Sequence, residues 1–264
     1  MDLLRRSLAP ITQEAWDAID EQARDVLKGC LSARRVIDVK GPFGWDYHGW
    51  PMGRLDVSDS PFVEGASHGV RRIQPLVEVR VPFSMSRWDL DDISRGSETT
   101  DMSPLEEAAR KIALFEEKAI YTGMDSGCIM GMENSSENGA VKVSSDDDGA
   151  IQAIADAVMT LKASSVEGPY VLIAQKELWK RIATLSKGYP LRKRIESMVD
   201  EVVLSPMVDR SFVISKRGGD MDLVLGQDLS IGYSGSSNGM VELFLTESFT
   251  FFVPGPEAIV PLTL

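Results

Sequence analysis

Residues able to do chemistry are few in this chain, and their spacing argues against catalysis. It has two histidines, His48 and His68. Both lie in an irregular early region with no partner at a recognised metal-ligand spacing, so they read as surface or packing residues. The string Gly235-Ser236-Ser237-Asn238-Gly239 has the Gly-x-Ser-x-Gly form of a hydrolase nucleophile. That chemistry needs a strand before the serine, a helix after it and a histidine downstream. Here strands are expected on both sides and no histidine follows His68, so a hairpin loop of small polar residues is expected instead. Arg217-Gly218-Gly219-Asp220 lacks the Lys-Ser/Thr ending of a phosphate loop and reads as a tight turn. Asp146-Asp147-Asp148 reads as a solvated helix start whose carboxylates suit the dipole, rather than as a cation site. Cys30 and Cys128 lie far apart without CxxC spacing, which points to reduced thiols rather than a disulfide or zinc ligands. No catalytic or metal site emerges.

Composition narrows the partners. With 264 residues and 43% hydrophobic content the chain can bury one large core or two modest ones. Asp and Glu number 40 against 28 Lys and Arg, and no segment gathers the basic stripe that phosphate neutralisation requires, so nucleic acid is not an expected partner. No run of roughly 18 apolar residues is present for a membrane span, and Arg5 and Arg6 are not followed by an apolar stretch. A soluble cytoplasmic protein with no membrane contact is the expectation.

The elements that must position any site follow from periodicity. Trp16, Ile19, Ala23, Val26, Leu27 and Cys30 recur at helical spacing between Thr12, a candidate N-cap, and Leu31. Residues 54–73 alternate short apolar and charged pieces and read as an extended arm. Val77, Val79, Val81 and Phe83 face one side of a half-buried strand, with Glu78 and Arg80 on the other. Ser103-Pro104-Leu105-Glu106 predicts a helix to about Tyr121, with Ser103 as N-cap, proline at N1 and a capping-box glutamate. Further helices are expected over residues 149–163, 176–185 and 191–199, and a buried strand over 169–174. The end of the chain reads as short strands followed by a long alternating ribbon, Met240 to Val253, with Val241, Leu243, Leu245, Phe249, Phe251 and Val253 on one face.

Several blocks in the same order resemble the linocin-like encapsulin family. They are Leu4-Arg5-Arg6-Ser7-Leu8-Ala9-Pro10-Ile11-Thr12, Arg34-Arg35-Val36-Ile37-Asp38-Val39-Lys40-Gly41-Pro42, Trp88 to Gly96 and Val166 to Tyr170, followed by Arg217 to Asp220, Leu225 to Tyr233 and Thr246 to Phe251. The resemblance implies an α+β fold like that of tailed-phage major capsid proteins, with a peripheral domain, an extended loop and an axial domain. Residues 1–50 would hold the N-terminal helix and the start of the peripheral domain, and 51–74 the extended loop. The spine helix would fall in 75–123, the axial domain in 124–220 and a peripheral β ribbon in 221–264.

The function implied is that of a shell subunit, not an enzyme, in a closed homo-oligomer of about sixty copies. It would package a cargo enzyme, a ferritin-like iron-storage protein or a dye-decolourising peroxidase, held by a terminal peptide in a groove. The positions matching that groove are Leu27, Cys30, Leu31, Arg34, Asp38, Val39, Ile231, Gly232 and Tyr233. The apolar ones would bury the peptide's anchors, while Arg34 and Asp38 would orient its polar groups. The loop Ser186, Lys187, Gly188, Tyr189 would border a pore. No cofactor is required, although Trp88 matches a tryptophan at which some relatives bind a flavin. A phage or prophage capsid protein that packages DNA is the alternative. It would call for a basic inner surface, against the chain's net charge of -12. A protease reading lacks a nucleophile, histidine and acid arrangement.

Overall fold

The computed structural model of the chain describes residues 2–145, 147–184 and 191–264. A short 3-10 turn precedes α1 (Gln13–Cys30), which Thr12 caps as predicted by accepting the Ala15 N–H at 3.3 Å. β1 (Asp38–Lys40) follows, then β2 (Gly49–Val57), β3 (Gly69–Pro75), β4 (Val77–Ser86), α2 (Arg87–Ser94) and the long α3 (Ser103–Thr122). The middle of the chain holds α4 (Gly131–Ser135), β5 (Val141–Lys142), α5 (Asp147–Ala163), β6 (Tyr170–Gln175), α6 (Lys176–Ala183) and α7 (Leu191–Ile195). β7 (Glu201–Ser205), β8 (Ser211–Ser215), β9 (Asp222–Leu225), β10 (Ser230–Ser237), β11 (Met240–Phe252) and β12 (Ile259–Thr263) complete it.

β11 organises the first sheet. Leu243 pairs with Phe83 of β4 on one side and Tyr233 of β10 on the other, and Phe249 pairs with both Val77 of β4 and Leu225 of β9. β9 and β10 therefore succeed each other along one edge of β11, and β1 extends that side by pairing parallel to β9. Val241, Leu243, Leu245, Phe249 and Phe251 turn into one core with Val79, Phe83 and Met85 of β4 and the apolar faces of α1 and α3, as period-two alternation predicts. Glu247 sits on that same apolar face and is fully buried.

The second sheet runs β5-β12-β8-β6-β7. β6 is buried along nearly its whole length because it is covered on both faces. Val171 and Ile173 reach the first core, where Tyr121 of α3 stacks on Phe212 of β8 at 5.6 Å, while Tyr170, Leu172 and Ala174 enter a second core under α5, α6 and α7. One boundary needs correction. Residues 221–264 do not stay together as one ribbon, because β12 pairs with β8 and β5 in this second sheet. Ile259, Val260 and Leu262 find apolar neighbours there, which the ribbon would not supply.

Two local signals resolve differently from the sequence reading. Met102, not Ser103, occupies the N-cap position of α3, so Pro104 falls one place later. Asp101 accepts the Ser103 N–H at 2.9 Å, and Glu106 is drawn to Gln22 at 2.7 Å and Arg110 at 2.8 Å instead of closing a capping box. Gly218 and Gly219, at φ 89° and 82°, turn the chain from the second sheet into the first as the tight-turn reading requires. The Gly-x-Ser-x-Gly string is a hairpin: Gly235 to Ser237 lie in β10, and Asn238 and Gly239, both at positive φ, make its turn. β2 and β3 form the arm, a two-stranded hairpin whose Leu55, Val57, Phe62, Val63 and Val70 are all exposed.

Candidate functional site

A groove of about 640 Å³ opens between α1 and the start of β10. Its apolar surface comes from Leu4, Ala23, Leu27, Leu31, Ile231 and Leu245. Ala23, Leu27 and Leu31 succeed one another at four-residue spacing, which places them on one face of α1 and its C-cap. Ile231 is paired with Leu245 across the β10–β11 ladder. The N-terminal segment closes one end. The Leu4 carbonyl accepts the Tyr233 N–H at 2.8 Å, and Arg6 grips Asp20 through two hydrogen bonds, 3.0 and 2.7 Å, while lying 4.0 Å from the Trp16 ring centroid.

A charge cluster runs inward from the groove wall, from Arg34 and Asp228, which line it, to the buried Glu116 and Glu247. Arg34 donates through Nε and Nη2 to Glu116 at 3.0 and 2.6 Å, through Nη1 to Asp228 at 2.8 Å, and through Nη2 to Glu247. Desolvation works against the charged guanidinium, but the hydrogen bond and charge of Glu116, with Glu247 and Asp228, prevail and raise its pKa. Burial, with Glu116 alongside, pushes Glu247 well above the usual carboxylate range, against the pull of Arg34. Its Oε2 is buried without a hydrogen-bond partner, which adds to the cost of holding a charge there. Glu117, the next residue on α3, accepts the Ala33 N–H at 2.8 Å and the Ser32 hydroxyl. Burial nevertheless pushes it up to about 7.

Of the nine sequence-derived groove positions, the structure brings Leu27, Leu31, Arg34 and Ile231 together. The other five lie outside its lining. Cys30 packs at the rim of the main core on the α3 side, where Arg110 and Glu117 are the charges acting on it. Asp38 points away, its carboxylate accepting the Gly219 N–H and so fastening the turn between β8 and β9. Val39 is exposed on β1. Gly232 serves packing, since a Cβ there would lie 2.2 Å from the Phe244 ring. Tyr233 contributes its backbone N–H to hold Leu4, and its hydroxyl meets Ser236 at 2.9 Å. Sequence reading missed Arg24 and Lys28, which line the groove from α1. Their i, i+4 spacing one residue beyond Ala23 and Leu27 was the available signal.

The remaining candidates fall elsewhere. Ser186, Lys187, Gly188 and Tyr189 lie outside the described residues. Trp88, on the first turn of α2, is 74% exposed and offers a flat face for stacking. His48 and His68 are exposed, and no group of three or more His, Cys, Asp or Glu is placed to hold a metal ion among the described residues.

Comparison with known proteins adds the identity of the fold. Residues 1–250 match the family described as encapsulating protein for peroxidase. The type 1 encapsulin shell protein of Rhodococcus erythropolis is 39% identical over 264 residues, covering 99% of this chain and 100% of that protein. Among solved structures, the virus-like particle from Pyrococcus furiosus superposes with a TM-score of 0.67 at 17% identity, over 94% of this chain and 98% of that one. The capsid of Myoviridae phage XM1 superposes at 0.57 and 14% identity, over 88% and 91%. The last two establish a tailed-phage capsid-like α+β fold. A family match across residues 1–250, together with 39% identity along the whole length, goes further: the chain belongs to the encapsulin shell protein family.

Proposed function

We propose that this shell subunit closes into an icosahedral cage of about sixty copies and packages a cargo enzyme by binding the cargo's terminal peptide in the groove between α1 and β10. The groove is the observation that carries the reading. It is an open cleft of about 640 Å³ floored by the largely buried Leu27, Leu31, Ile231 and Leu245, an apolar seat suited to a short peptide's anchors. The family description names a peroxidase, which supports a dye-decolourising peroxidase as cargo, and a ferritin-like iron-storage protein is the other candidate. The role is structural and needs neither catalysis nor a cofactor, and the cage would work in the cytoplasm. The exposed apolar residues of the β2–β3 arm, Phe62 at 90% among them, are suited to burial against a neighbouring subunit. The DNA-packaging alternative is disfavoured by the net charge of -12.

The test is electron microscopy of the purified protein with mass spectrometry of what it carries. Ile231→Asp and Leu31→Asp should give closed shells without cargo, because a carboxylate in an apolar groove costs several kcal/mol (about 2–7 on transfer scales). Closed variant shells loaded as fully as the wild type would refute the groove assignment.

A further inference from the structure

The groove has a charge pattern of its own. Its walls carry five cations, Arg6, Arg24, Lys28, Arg34 and Arg35, against two carboxylates, Asp20 and Asp228, in a chain whose net charge is -12. Most of these charges are committed. Arg6 is held by Asp20, Arg34 by Glu116, Asp228 and Glu247, and Arg35 by Glu201 at 3.2 Å. Asp20, one turn before Arg24, has both oxygens on Arg6. Arg24 and Lys28 have no ion pair or side-chain hydrogen bond among the described residues. The helix dipole accounts for a cation at Lys28, in the last turn of α1, but not for Arg24 in mid-helix.

We propose that Arg24 and Lys28 are specificity-determining residues, and that the groove selects a peptide combining apolar anchors with two carboxylates. The inference rests on the cargo-peptide reading and adds the chemistry of the peptide to it. Arg24 and Lys28 are one helical turn apart, with Cβ atoms about 6 Å from each other. In an extended peptide, side chains two positions apart lie on one side, about 6.6 Å apart. Acidic residues at positions i and i+2 therefore meet the two cations, while the residues between and beside them turn toward Leu27, Leu31 and Ile231.

The experiment co-expresses the full-length shell protein with a fluorescent protein carrying a pooled library of short randomised C-terminal extensions. Extensions retained in purified shells are then identified by mass spectrometry. Wild-type shells should enrich apolar extensions with acidic residues two apart about fivefold over their neutral counterparts, equivalent to about 1 kcal/mol. Arg24→Glu with Lys28→Glu should invert the preference toward lysine-bearing extensions. If that pair does not assemble, Arg24→Gln with Lys28→Gln should abolish it. Apolar enrichment with no acidic preference, or a preference that survives these substitutions, overturns the inference and leaves the groove assignment standing. Absence of apolar enrichment, or enrichment unchanged by Ile231→Asp, removes the groove assignment and the inference with it.

Discussion

Glu117→Gln should make the protein more stable at alkaline pH while leaving it unchanged in acid. Glu117 is fully buried on α3, and burial raises its pKa from 4.5 to about 7 despite hydrogen bonds from Ser32 and Ala33 that favour the charged form; the Glu116 charge adds to the rise. A folded-state pKa above the unfolded one means that the native state holds the proton more tightly. The stabilisation is complete below about pH 4.5 and is lost as pH rises through about 7. That interval corresponds to about 3 kcal/mol, at about 1.4 kcal/mol per pH unit where the slope is steepest. Glutamine mimics the protonated acid: its oxygen keeps the Ala33 N–H, and its amide donates to Ser32 Oγ, whose proton turns to the Tyr121 hydroxyl at 2.7 Å. Thermal unfolding of wild-type and variant shells from about pH 5 to about pH 8 tests this, since assembly contributes equally to both. The variant's melting temperature should exceed the wild type's by about 6–10 °C at the alkaline end, and the two should converge in acid. A difference that stays flat across the range would show that the Ser32 and Ala33 bonds outweigh desolvation and that Glu117 is ionised throughout.

Arg34→Met should lose about 3–5 kcal/mol in urea unfolding, because Glu116 is left buried without its counter-charge, and adding Glu116→Gln should recover part of the loss. A single-variant loss below about 1 kcal/mol would mean that water or another cation compensates the site. Leu55→Asp with Val57→Asp, both on the exposed arm, should leave the circular dichroism spectrum native yet stop shell formation in size-exclusion chromatography; normal shells would exclude these residues from the subunit interface.

What was legible in the sequence was whatever a single element determines. Period-two alternation located β4 and β11, helical spacing located the buried face of α1, and Thr12 was readable as its cap because capping is settled within three residues. Long-range pairing was not legible. Asp38 and Arg34 both looked like polar groove residues, but Asp38 is taken by Gly219, 181 residues away, and Arg34 by Glu116 and Glu247, 82 and 213 residues away. The same holds for β12, which reads as the end of a ribbon until its partner β8 is known. One irregularity did signal the cluster: Glu247 interrupts an otherwise apolar face between Leu245 and Phe249, and a lone acid there requires a cation or a proton.

The Arg34 cluster also explains how an apolar groove keeps a defined shape. Burying an arginine among carboxylates seldom stabilises more than apolar residues of similar volume would, because desolvation offsets the Coulomb attraction. Its effect here is positional. Arg34 leaves the turn after α1 and reaches Glu116 on α3, Glu247 on β11 and Asp228 ahead of β10, so one guanidinium fixes four segments at hydrogen-bond tolerance. Apolar contacts are not directional, so the guanidinium's hydrogen bonds add a fixed direction to the close packing that opposes a slide of α1 along the sheet. Such a slide would move Leu27 and Leu31 relative to Ile231 and carry Arg24 and Lys28 along with them. Arg34 is already hydrogen-bonded to Glu116, Asp228 and Glu247, whereas Arg24 and Lys28, the cations that our proposal assigns to the peptide's carboxylates, have no such partner among the described residues.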